Sequence, residues 1–229
     1  MALLLNIDTA TEYASVCLSE DDKIVSILES RDQKNHASFI QPAIEKICQT
    51  TGIKLKDLNA ISVTSGPGSY TGLRVGLSSA KGLCYALNKP LILVNTLEVM
   101  VQAAMAAYQA ANEDNILFCP MIDARRMEVF TAIYDKHFQF IMPPCALILT
   151  ENSFEEELSC HTLIFSGSGS FKMKKLPLHI NGIFVDTIYN ASNLADRAIK
   201  AFQKKQFSNL AYSEPAYLKE FYTPVKISH

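Results

Sequence analysis

Apolar and polar positions alternate through the first thirty residues in three runs, LLLNID, YASVCLSE and KIVSILES, with the acidic turn Glu20, Asp21 and Asp22 between the last two. A period of two bounded by turn residues predicts three strands in an antiparallel meander. The period then changes. In HASFIQPAIEKICQTTG the residues Phe39, Ile40, Ala43, Ile44 and Ile47 recur at helical spacing and Gly52 supplies a stop, so an amphipathic helix is predicted over 36–51. Pro42 falls within its first turns, near enough to the start to be tolerated. AISVTSG is predicted as a buried strand, 71–87 as a helix ended by Asn88 and Pro90, LILV as a strand, and TLEVMVQAAMAAYQAA as a helix with Thr96 as its cap.

This β-β-β-α-β-α-β-α order starts a second time. LFCPMID ends in Ile122 and Asp123 as the first strand ends in Ile7 and Asp8, and EVFTAIY matches YASVCLS. TLIFSGSGSF repeats the Ser-Gly-x-Gly-Ser-aromatic signature of AISVTSGPGSY, with Ser166 standing for Ser65. The offsets, 115 from Asp8 to Asp123 and 101 from Ser65 to Ser166, point to one unit used twice with the second copy trimmed. The expected fold is α/β, two β-β-β-α-β-α lobes with the second reduced. The first lobe takes residues 1–100; the second takes 101–229, its final segment packing back on the first.

Charge narrows the function. Twenty-one basic residues against 23 acidic give a net charge of −2, which argues against a protein that grips nucleic acid by itself. The clusters Lys172, Lys174, Lys175 and Lys200, Lys204, Lys205 are expected to be solvated surface. Six cysteines without a C-x-x-C pair suggest reduced thiols and a cytosolic setting. The N-terminus opens with a strand and no leader pattern, and no run approaches the ~20 apolar residues of a membrane span.

The candidate chemistry centres on VTSGPGSYTGLRVGLSSAKGL, residues 63–83. Gly72 is followed by Leu73, so it is no Walker loop, and Thr71 stands where a dinucleotide fingerprint needs its third glycine. Two readings stay open for the loop. Its backbone N–H groups could attract an anion at a helix start, with Arg74 adding charge, or Gly66 and Gly68 could simply make a tight turn. Gly72, Gly76 and Ala80 line one helix face and permit the close approach of either an internal element or a partner. No histidine has a second ligand at metal spacing, and no nucleophile motif is present. The best-placed carboxylates are Asp8 and Asp123, either as holders of a metal phosphate or as strand-end caps.

Repeated β-β-β-α-β-α units whose first strand ends in Asp resemble the actin/hexokinase/Hsp70 ATPase superfamily, which implies two actin-like, ribonuclease H-like lobes. More narrowly, SGPGSYTGLRVGLSSAKGL with NIDTATEYASVCLS, NTLEVM, PMIDARRMEVFTAIY and PAYLK resembles the TsaB (YeaZ, glycoprotease-like) family. The likeness is strong through about residue 135 and diffuse over 136–210. It implies a cytoplasmic, non-catalytic scaffold or activator in bacterial synthesis of tRNA threonylcarbamoyladenosine. The implied partners are the catalytic paralogue TsaD and the ATPase TsaE, with tRNA met only through the complex, no membrane, and a homodimer when alone. Pairing would run through helices 36–51 and 71–87, with His36, Phe39, Ile40, Ala43, Ile47, Gly72, Leu73, Gly76 and Ala80 at the interface.

Departures from the superfamily sharpen this. Asp8-Thr9-Ala10 and Asp123-Ala124-Arg125 replace its Asp-x-Gly turns, Ile40 replaces the second histidine of the paralogue's H-x-x-x-H, and Lys219 replaces the arginine of the P-x-Y-L-R tail. No cofactor is then required and no metal is held. Asp8, Gly66, Gly68, Ser69 and Arg74 would form a vestigial phosphate site with weak nucleotide binding. The competing readings are an ATP-dependent transferase or phosphotransferase using Asp8 and Asp123, and a glycopeptidase, which the missing metal pair and nucleophile oppose.

Overall fold

The first three runs pair as expected, because alternation gives each strand one face for each side of a sheet. In the computed structural model, which describes residues 1–32, 35–108, 115–177 and 179–219, they form β1 (Leu3–Asp8), β2 (Ala14–Glu20) and β3 (Lys23–Ser30). Leu5 stands opposite Leu18 and Ile7 opposite Val16. Helix α1 (His36–Thr51) crosses to β4 (Ala60–Gly66), and α2 (Tyr70–Leu87) crosses to β5 (Leu91–Asn95). Both added strands run parallel to β1, giving the order β3-β2-β1-β4-β5. The stops fall where sequence placed them: Gly52 and Asn88 take left-handed backbone after α1 and α2.

Helix α3 (Thr96–Tyr108) leads to the second sheet, built from β6 (Ile116–Asp123), β7 (Glu128–Tyr134), β8 (Phe140–Ile148), β9 (Thr162–Ser166) and β10 (Gly182–Val185). Its order, β8-β7-β6-β9-β10, repeats the first. The trimming lies in the crossovers. Helix α4 (Glu155–Cys160) has 6 residues where α1 has 16, and α5 (Ser170–Met173) has 4 where α2 has 18. This is the two-lobed ribonuclease H-like arrangement that the resemblance implies.

One detail of the sequence reading is corrected. Thr96 does not cap α3: the Leu97 N–H bonds Asn95 Oδ1 at 2.8 Å, and the buried Thr96 hydroxyl has no partner among the described residues. An Asx side chain reaches the N–H two residues on, so the cap lies one position earlier.

Each sheet has an outer helical cover, α1 and α2 on the first, α4 and α5 on the second. The inner faces share one core. Helix α6 (Ala191–Gln203) returns to pack on β1, β2, β4 and β5, while α3 packs on β6 and β9, and the two helices touch. Leu4, Val94, Met100, Phe118, Ile164 and Leu194 therefore belong to one cluster. The boundary near residue 100 separates the sheets but not their interior. No helix among the described residues is long and apolar enough to cross a membrane.

Candidate functional site

Strand β4 delivers the glycine loop, and Ser69 opens α2 by accepting the Gly72 N–H at 3.3 Å. A phosphate cradle needs loop amides free to point at an anion. Here the Ser69 N–H is bonded to Ala10 O at 2.7 Å, so the loop grips the chain's own β1–β2 turn. A side chain at Gly68 would collide with Ala10 O, and side chains at Gly72 or Gly76 would collide with Thr9. The Thr9 hydroxyl donates to Gly72 O at 2.7 Å. Of the readings left open for these glycines, close internal packing is the one realised; the space at Gly72 and Gly76 is filled by Thr9, not left for another helix.

Asp8 ends β1 on the face turned toward α6 and is only 1% exposed. Its Oδ1 accepts the Thr64 hydroxyl at 2.7 Å and the Ala10 N–H at 3.1 Å. Exclusion from water pushes its pKa up to about 6, against the opposing pull of Thr64 and the amides of Ala10 and Thr9. One strand step earlier on the same face, Asn6 accepts from Ser62 at 2.6 Å and donates to Ser19 at 3.0 Å. Asp8 thus closes a buried polar ladder across β1 and β4.

The matching carboxylate of the second lobe is held differently. Asp123 has a side chain 46% exposed, and Lys172 of α5, 10% exposed, donates to its Oδ1 at 2.7 Å and to Glu128 O at 2.7 Å. Burial alone would raise the Asp123 pKa. The bonds from Lys172 and the Arg125 N–H, with the charges of Lys172 and Lys175, outweigh it and hold the carboxyl below its ordinary value. The expectation of solvated lysines at 172–175 fails at Lys172: the short turn of α5 directs it back onto the strand-end carboxylate.

Between the two turns lies a cleft of about 710 Å3, bordered by Thr11, Ser69 and Tyr70 from one lobe and Asp123 and Arg125 from the other, with Tyr217 of the C-terminal tail beside them. Gly68 and Ser69 line it; Asp8, Gly66 and Arg74 do not. Arg74 stacks over the Tyr70 ring, 3.9 Å from its centroid, and its Nε donates to the Tyr217 hydroxyl at 3.0 Å. The five residues expected to form a phosphate site are therefore dispersed: a buried carboxylate, a turn glycine packed on the tail, a loop whose Ser69 amide is already bonded, and a stacked arginine. A magnesium nucleotide does not fit these residues. Both carboxylates are engaged, and Ala10 and Arg125 carry side chains at turns where close backbone approach favours glycine. Among the described residues no three His, Cys, Asp or Glu side chains are placed to hold a metal ion.

The residues expected on the pairing face are mostly the protein's own interior. His36, Ile40, Ala43, Ile47, Gly72, Leu73, Gly76 and Ala80 are all buried within this chain, and only Phe39 keeps part of its surface. His36 does not await a second metal ligand: its Nε2 lies 3.3 Å from Glu12 O. The apolar stripes seen in the sequence are core stripes, because a helix turns its most apolar face to its own sheet first. What α1 and α2 offer outward is a rim of half-buried Phe39, Val75 and Leu83, with Ser78 and Tyr85 exposed. Sequence reasoning assigned no role to Thr9, Thr64 or Tyr217, although it quoted the Asp-Thr-Ala turn and the PAYLK tail that hold two of them; their partners lie dozens of residues away. The identical position of Asp in both repeats could have drawn attention to Lys172, the nearest cation after the second glycine loop.

A family model described as "TsaD: tRNA N6-adenosine threonylcarbamoyltransferase" matches residues 24–226. The "tRNA threonylcarbamoyladenosine biosynthesis protein TsaB" of Escherichia coli K12 is 38% identical over 133 residues, 58% of this chain and 55% of that protein. The protein of the same description from Bacillus subtilis is 33% identical over 133 residues, 57% and 54% of the two chains. This chain spans about half the length of the curated relatives it matches. The solved structure "YeaZ from Pseudomonas aeruginosa" superposes with a TM-score of 0.81 at 23% identity, covering 95% of this chain and 100% of that one.

Proposed function

This chain belongs to the TsaB/YeaZ family, and from that premise we propose that it is a non-catalytic scaffold or activator of tRNA threonylcarbamoyladenosine synthesis, binding a TsaD-type catalytic subunit and supporting the TsaE ATPase. One observation carries the non-catalytic part. Both strand-end carboxylates around which a superfamily ATPase would build its metal-nucleotide site accept the protein's own donors at Oδ1, Asp8 from Thr64 and Ala10 and Asp123 from Lys172. Asp8 is buried and does not border the cleft, and the Lys172 ammonium lies directly on Asp123, so neither carboxylate stands as a free anion facing a metal nucleotide in the cleft. No cofactor is required in this reading, any nucleotide binding is weak, and tRNA is met only through the complex.

Docking uses the outward rim of α1 and α2, where Phe39, Val75 and Leu83 border the exposed Ser78 and Tyr85. The same rim pairs two copies when the catalytic subunit is absent. Ser78→Trp adds bulk where no internal contact is disturbed, so it should abolish capture by the catalytic subunit and shift the homodimer to monomer while thermal unfolding stays unchanged. Retained capture would remove this surface from consideration. The decisive assay omits each purified subunit in turn from the modification reaction. Modification without this chain, or ATP turnover by this chain alone, would overturn the proposal.

A further inference from the structure

The C-terminal tail leaves the second half of the chain and runs along the first lobe. Ser208 N–H bonds Leu91 O at 2.8 Å, and Lys81 Nζ on α2 donates to Ala211 O at 3.2 Å and Ser213 O at 3.0 Å. The Ala216 N–H then bonds Ser65 O at 2.6 Å, at the mouth of the glycine loop. Gly66, with φ of +113°, is packed so closely that a Cβ there would stand 2.6 Å from Ala216 O. Tyr217 sits 5.2 Å from the Tyr70 ring centroid and accepts from Arg74. Two residues on, Lys219 pairs with Glu128, which begins β7 in the other lobe. Ala216 through Lys219 all border the cleft.

We propose that residues 215–219 form a strap that fastens the second lobe's β6–β7 turn to the glycine loop and α2 of the first, and so sets how far the cleft opens. The strap explains what the nucleotide reading left over. Arg74 is spent on the tail's tyrosine, and the left-handed Gly66 makes room for the tail's backbone. Three unlike contacts, a backbone hydrogen bond at Ala216, a ring and guanidinium stack at Tyr217, and an ion pair at Lys219, fall within four tail residues and reach both lobes. Its anchors lie at the surface, with Lys219 half exposed against a mostly covered Glu128, and none is a core contact of a strand or helix, so the strap can be released without unfolding either lobe. The inference stands independently of the scaffold role.

Hydrogen exchange on the full chain tests it. Tyr217→Ala and, separately, Arg74→Ala remove opposite halves of the central contact. Both should speed exchange at the cleft borders 66–71 and 123–128 by about tenfold or more, with α6 and β1 as protected as in the parent chain. Glu128→Gln, which loosens the far anchor, should do the same at 66–71, across the cleft from the substitution. Exchange that rises only within 215–219, or does not rise, would show the tail to be a passenger and overturn the strap. If the first two variants act but Glu128→Gln leaves 66–71 unaltered, the tail is fastened to one lobe only, which also overturns it.

Discussion

The two lobes carry the same loop signature after the same strand, yet use it to different ends. In the first, Ser65 to Tyr70 leads into an 18-residue helix whose glycines admit Thr9 from the neighbouring turn, and the strand-end Asp8 is turned inward. In the second, Ser166 to Phe171 leads into 4 helical residues, and Asp123 stays half exposed under Lys172. Sheet order survived in both copies while helix length did not. A five-stranded sheet must keep its register or lose its buried face, whereas a crossover helix needs to be only long enough to cover what lies beneath it. The long pair α1 and α2 exceeds that need and presents an outer rim; the short pair α4 and α5 presents a lysine.

The contrast is easiest to break at Gly76. Leucine there meets Thr9 and Val63, and overpacking of this kind costs about 3 kcal/mol or more, read as a fall in the urea midpoint. Thr9→Ala in the same chain should recover part of the loss, because the two sites share one space.

The two aspartates should respond to pH with opposite sign. Asp8 has its folded pKa raised to about 6 from 3.8, so the favourable contribution is fully present below pH 3.8 and is lost as pH rises through 6. The loss is about 3 kcal/mol, and Asp8→Asn should flatten that window in urea unfolding at stepped pH. Asp123 has its pKa lowered, so its contribution is present above the unfolded value and disappears as pH falls below it. Lys172→Met should return the Asp123 carboxyl toward its ordinary pKa in a carbon-detected titration. The accompanying loss at neutral pH is about 1 kcal/mol, since the aspartate is close to half exposed and screened.

The smallest effect is expected at Gly82, on the same helix as Gly76. A Cβ there meets nothing within 4 Å, so Gly82→Ala should gain no more than about 1 kcal/mol from helix propensity alone. Equal responses at Gly76 and Gly82 would show that Thr9 does not occupy α2's small-residue face.

The strands and helices of the first lobe, the stops at Gly52 and Asn88 and the duplication were legible in the chain, because each is written in local periodicity or in residues that take left-handed backbone, whereas β10, α4, α5 and α6 were not read. The candidate site was legible only as a set of positions. Of the singled-out positions Gly68 and Asp123 border the cleft while Asp8 is buried beside it, and the partners Thr64, Ala10 and Lys172 set how each is held; 49 residues separate Lys172 from Asp123. The apolar stripes of α1 and α2 told that those helices bury a face, not which surface covers it. Periodicity records that a side chain leaves water; it carries no name for the group that replaces the water.

The amino-acid order by itself determined the two like halves, the order of elements in the first and the truncated second copy, since alternation, helical spacing and turn chemistry are properties of neighbouring residues. The tertiary structure alone decided that the glycine loop holds its own turn, that both carboxylates are answered from within, and that the tail comes back across the cleft. Those contacts join segments from 49 to 151 residues apart, and only the folded chain brings their donors and acceptors within hydrogen-bond reach.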